Sequence, residues 1–135
     1  MVASYVKRAI EQIPGLAENG LAVGRALHRA VMKGGTPTRT LADWLHGTWL
    51  GHPLHPVLTD LTIGAWAFGG FFDAVAAATG AREAERVADT LTTAGTVTAV
   101  PTLITGVADF STVQRPAAST ATLHALLNDI NFVLY

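Results

Sequence analysis

The stretch GHPLHPVLTDLTIGAWAFGGFFDAVAAAT, residues 51–79, decides the fold. It opens on two histidines, His52 and His55, each followed by a proline. Its last 23 residues, Val57–Thr79, are long enough to cross about 30 Å of hydrocarbon as a helix. Leu61–Phe72 carries no charge, and Gly64, Gly69 and Gly70 offer small surfaces for helix packing. Proline fixes its own φ and biases the preceding residue toward extended geometry, so a stiff, non-helical entry is expected at both histidines. Pro56 then falls in the first turn of a helix beginning near Val57. Imidazoles titrate near neutrality, bond to carbonyls and ligate metals, so the pair marks a place for chemistry. The competing reading is a capped turn whose histidines meet backbone carbonyls.

Working outward, the composition agrees with a membrane setting. The chain has 135 residues, one domain's worth. Charged residues are 14%, against about 25% in soluble domains. Half the residues are apolar, and the mean hydropathy is +0.35. The net charge of −1 gives no global field for nucleic acid, so no nucleic-acid partner is expected. The absence of cysteine excludes disulfides, thiolate metal sites and an iron–sulfur cluster held wholly by this chain. The first 35 residues carry charges throughout and contain no continuous apolar run of signal-peptide type.

The fold class expected is all-α: a polytopic transmembrane helix bundle preceded by amphipathic N-terminal helices. Residues 1–40 form the cytoplasmic or interfacial part and 41–135 the membrane domain. Met1–Gln12 reads as an amphipathic helix ended by Pro14-Gly15. A second helix runs from about Leu21 to Met32. Its Arg25, Arg29 and Lys33 make a basic stripe that can lie on anionic lipid, dock an acidic subunit or simply face water. Gly34–Thr38 reads as a break, and Thr40-Leu41-Ala42-Asp43 as a capping box opening a short helix through Leu50. Trp44, Trp49 and His46 decorate that helix, and tryptophans before an apolar run suit a bilayer interface.

A second span is expected over about Ala88–Asp109, with Pro101 kinking it. Thr98, Thr102, Thr105 and Asp109 share one of its faces, and threonine can return its hydroxyl proton to its own helix backbone. Ala121–Tyr135 starts a third apolar helix bearing His124, Asn128 and Asp129. The chain stops within that helix and reads as a piece of a longer protein. Six basic residues precede the first span, so the positive-inside rule puts the N-terminus in the cytoplasm. This topology carries His52, His55, Asp60, Asp109 and His124 to one membrane face, and Asp73 and Asp89 to the other. Ionisable groups at membrane depth are costly and usually point into the bundle, which makes each a functional candidate. The alternative is that carboxylates near helix ends snorkel or cap.

The runs GHPLHPVLTDLTIGAW, GGFFDAVAA, TGVADF and LHALLN resemble the DUF2231 membrane family over roughly Leu50 to Tyr135. The resemblance implies four spanning helices, of which this chain lacks the last one or two. It also implies a neighbouring Rieske [2Fe-2S] domain, which this segment cannot ligate and which would lie beyond Tyr135. The setting implied is respiratory electron transfer in the inner (plasma) membrane of a bacterium, including anchors of succinate-dehydrogenase-type complexes. The partners implied are flavoprotein and iron–sulfur subunits, the lipid bilayer and a quinone.

Three functions follow from the residues and the resemblance together. In the first, the chain anchors a quinone-linked dehydrogenase and serves menaquinone or ubiquinone. His52, His55 and His124 then donate hydrogen bonds, Asp60 or Asp109 relays protons, and Trp66 and Phe68 line the quinone tail. In the second, it is a b-type cytochrome with His55 and His124 as axial ligands of haem b. In the third, it is a non-redox accessory or assembly subunit whose histidines stabilise loops. In the redox readings, His55 and His124 are expected to face one another near Asp60 or Asp109.

Overall fold

A computed structural model describes residues 2–134, and every regular element among them is helical. The order is α1 (Val2–Glu11), α2 (Leu16–Lys33), α3 (Gly35–His46), a single 3-10 turn (Thr48–Leu50), α4 (Leu54–Thr79), α5 (Arg82–Phe110) and α6 (Arg115–Leu134). Tyr135, the end of the expected third span, lies outside the described residues. The chain divides into two compact units. One holds the described residues up to His46 and those from Gly106 onward, and the other is Gly47–Thr105.

In the unit Gly47–Thr105, α4 and α5 are joined at Gly80, whose left-handed φ of 70° ends α4 while its N–H bonds to the Ala76 carbonyl. The pairs Gly69 with Thr92, Trp66 with Thr96, Thr62 with Thr98 and His55 with Thr102 run in opposite sequence directions, so the two helices lie antiparallel. Among the described residues they are the two helices long and apolar enough to cross a membrane. Only 11% and 22% of their most apolar windows are buried within the chain, unlike the core helix of a soluble domain. Leu61, Ile63, Phe68, Phe71, Val97 and Ile104 all project outward. A continuous apolar surface of that kind is what hydrocarbon covers.

The helix boundaries correct several expectations. α4 begins at Leu54, so His55 is helical and only His52 stays in the non-helical entry. Pro53, at φ −56° and ψ 128°, is the N-cap, and Pro56 occupies the first turn, where its missing N–H leaves no partner unsatisfied. The bias that Pro56 places on His55 is opposed by the bond that residue makes to α5. α5 begins at Arg82 and continues unbroken through Pro101. α6 begins at Arg115, six residues before the expected start, and is not among the span-length apolar helices.

In the other unit, α6 packs along α2 and touches α1, while α3 folds back on α2. α2 starts at Leu16 rather than Leu21 and buries Gly20, Leu21 and Gly24. A Cβ at Gly24 would sit 2.9 Å from the Phe110 carbonyl, and one at Gly20 would collide with Thr122. These small residues therefore bring the backbones close. The expected break at Gly34–Thr38 is reduced to Gly34, and Thr40 lies within α3 instead of capping it. Pro37 is tolerated because it sits in the first turn of α3. Thr38 Oγ1 donates to the Val31 carbonyl at 2.6 Å, stapling the end of α2 to the start of α3. The helix expected to reach Leu50 stops at His46, and a 3-10 turn follows Gly47.

Candidate functional site

The polar groups of α4 and α5 form a seam. The Thr102 carbonyl can only accept, so His55 donates to it from Nδ1 at 2.9 Å. Thr105, 2% exposed, donates its hydroxyl proton to the carbonyls of Pro101 and Thr102, and its oxygen lies 3.4 Å from the same imidazole nitrogen. One turn and more along, Thr62 Oγ1 donates to Thr98 Oγ1 at 3.0 Å and lies 3.1 Å from Thr102 Oγ1. Thr98 and Thr102 direct their own protons to carbonyls of the preceding turn. The threonines thus satisfy their hydroxyls within the helix pair, as hydrocarbon requires. Trp66 Nε1 donates to Thr96 Oγ1 at 3.4 Å, which gives the indole a polar contact in the seam.

The remaining expected site residues of this unit lie elsewhere. His52 is exposed, with Nδ1 donating to the Pro53 carbonyl at 3.1 Å. Asp60 is exposed. It precedes Thr62 by two residues, about 200° around the helix, and so lies on the face of α4 away from the seam. Phe68 is 62% exposed on the apolar outside.

In the other unit, a short contact between two ionisable side chains joins His46 and Asp109. Nδ1 of the imidazole lies 2.7 Å from Oδ1 of the carboxylate, and the side chains are 23% and 34% exposed. His46 is the last residue of α3, and Asp109 is the last but one of α5. A carboxylate at a helix C-terminus is opposed by the helix dipole, and the imidazole offsets that. With Nδ1 donating to the carboxylate, the ring is fixed in orientation and tautomer, and Nε2 is set as the atom that exchanges a proton. Leu41 and Trp44 of α3 and Val107 of α5 are exposed apolar side chains near the pair in sequence, but they lie five, two and two residues before it, on the far faces of their helices. His124, also exposed, lies in α6 beside Asn128, whose amide donates to the His124 carbonyl at 2.7 Å and lies 3.2 Å from the ring.

Asp109 was legible as a candidate from the threonine face it continues; its histidine was not. His46 stood out in the sequence only as a neighbour of two tryptophans. The one available signal was its position just before Gly47, at the end of a helical segment. Among the described residues no three His, Cys, Asp or Glu side chains gather into a metal-binding group.

The profile of a family described as predicted membrane protein (DUF2231) matches residues 51–134, more than half of the chain. No curated protein and no solved structure matches it.

Proposed function

The chain belongs to the DUF2231 family of predicted membrane proteins, and on that premise we propose that it is a membrane subunit of a quinone-linked respiratory complex. In this reading the His46–Asp109 pair handles the proton. Reduction of a quinone to its hydroquinone takes two electrons and two protons. Flavoprotein and iron–sulfur subunits supply the electrons, since this chain has no cysteine to hold a cluster. The protons need an acid–base group held in one tautomer within reach of the quinone carbonyl.

The observation that carries the proposal is the 2.7 Å contact between His46 and Asp109. Nε2 of His46 donates to the quinone carbonyl, and the Asp109 carboxylate orients the ring and offsets its charge when it is protonated. His55 has a different part: its Nδ1 proton is committed to the Thr102 carbonyl, which ties α4 to α5. The succinate-dehydrogenase and Rieske associations rest on the family resemblance alone. The same reading puts the N-terminus on the cytoplasmic side of a bacterial inner membrane, where a soluble dehydrogenase docks.

The test uses membranes containing the assembled complex. His46→Gln and Asp109→Asn are expected to slow reduction of a short-chain quinone by about 100-fold, the usual scale for a positioned acid–base group. Reduction of a soluble artificial acceptor at the dehydrogenase end stays at the wild-type rate. Wild-type quinone turnover in both variants overturns the reading. So does purification of the chain with no dehydrogenase subunit, which assigns it to a non-redox accessory role. A haem absorption spectrum lost in His55→Gln makes it a cytochrome instead.

A further inference from the structure

The charge of the chain is divided unevenly along its length. The first 40 residues hold six basic and two acidic side chains, and the other 95 hold three basic and eight acidic. Three of the six, Arg25, Arg29 and Lys33, stand at i, i+4 and i+8 on α2, all exposed, on the side away from buried Gly20, Gly24 and the half-buried Leu27 and Val31. Like charges at this spacing oppose the helix that carries them. Helix surfaces usually relieve such a column with glutamates, but the one acid on this helix, Glu18, reaches Arg115 at 3.8 Å. Among the described residues none of the three has an ion pair. The fold lengthens the column: Arg39, on α3, places Nη2 3.3 Å from the Met32 carbonyl and so stands beside Lys33 at the end of α2. Four cations on one edge, of which Arg25, Arg29 and Lys33 have no ion pair among the described residues, favour an anionic surface. In the same unit α1 exposes Val2, Tyr5 and Val6 beside Lys7 and Arg8, the pairing of apolar and basic side chains found on helices lying in a bilayer interface.

We propose that the basic edge of α2, made by Arg25, Arg29, Lys33 and Arg39, docks on anionic phospholipid headgroups. Lipid is favoured over an acidic protein because the chain belongs to a membrane family and because apolar side chains are exposed beside the cations of α1. Neutralising the edge weakens the attachment by about a factor of ten per two charges or fewer, on the scale of basic residues near an anionic leaflet. The inference rests on the membrane setting and not on the quinone reading, so either can fail alone.

The chain has no native cysteine, so one introduced by Ala22→Cys, at an exposed position beside the stripe, can carry a polarity-sensitive dye. The full chain is reconstituted into vesicles of phosphatidylcholine alone or mixed with phosphatidylglycerol. The expected result is a blue-shifted emission, with severalfold less quenching by neutral acrylamide, in the mixed vesicles only. High salt reverses it, because screening shortens the reach of the headgroup charge. The triple variant Arg25→Gln, Arg29→Gln, Lys33→Gln keeps helix propensity, which circular dichroism verifies, and is expected to lose the shift. Identical emission in the two lipids overturns the proposal, as does a shift that survives in the triple variant. A shift produced by polyglutamate but not by phosphatidylglycerol overturns it in favour of an acidic protein partner.

Discussion

His55 donates from Nδ1 to the carbonyl of Thr102 at 2.9 Å, across 47 residues of sequence and from the first turn of α4 to the residue after Pro101 in α5. The bond joins two helices that each carry a proline close to it, Pro56 in α4 and Pro101 in α5. Replacing His55 by leucine removes the interhelical donor while the Thr105 hydroxyl stays on the same carbonyl. The expected loss is about 1 kcal/mol, the scale of a polar contact between membrane helices. Thermal unfolding of the purified chain in detergent measures it. His55→Asn, whose amide is also a donor, is expected to lose less.

The His46–Asp109 contact predicts coupling in stability as well as in turnover. Partly buried, the pair is expected to show about 1 kcal/mol of interaction in a double-mutant cycle of His46→Gln and Asp109→Asn. Additive losses in the cycle, measured by unfolding in detergent, would mean that the contact contributes nothing to the fold.

Gly95 faces the indole of Trp66, and a Cβ there would lie 2.5 Å from Cδ1 and 2.7 Å from Nε1. Gly69 meets Thr92 in the same way, 2.7 Å from Oγ1. Gly64 and Gly70 have open space around them. Gly95→Val is therefore expected to destabilise the α4–α5 pair by about 1–3 kcal/mol, the cost of overpacking. Gly64→Ala is expected to be neutral or slightly stabilising. Comparing their unfolding midpoints checks which glycines make the interface.

Asp60, the seventh residue of α4, stands about 9 Å along the helix from its start and on the outer face. A charge at the centre of a membrane helix costs about 2.5–3.5 kcal/mol, and less toward the end. Asp60→Leu is accordingly expected to raise the stability of the isolated chain in lipid nanodiscs by about 1 kcal/mol. A lower unfolding midpoint would show that the carboxylate has a stabilising role.

Length, composition and local pattern determined the membrane spans, because a run of apolar residues long enough to cross a bilayer has few other ways to satisfy its backbone. The threonine face of α5 was legible for the same reason, since a stripe at helical spacing points one way wherever the helix goes. Helix starts were less legible. The segment Gly34–Thr38 reads as a break, yet Pro37 fits the first turn of α3; Pro56 reads correctly as a first-turn residue, but the helix begins at Leu54 and takes His55 with it.

What only the tertiary structure decided is which polar group each stripe meets. Periodicity put Asp109 on the face with Thr98, Thr102 and Thr105, but the register of α3 against the end of α5 gave it His46 as partner. It likewise turned His55 onto a carbonyl and brought Arg39 beside Lys33. A side chain's face follows from its own helix, whereas its neighbour depends on backbone packing at small residues such as Gly24, Gly69 and Gly95, where short-range contact sets the register.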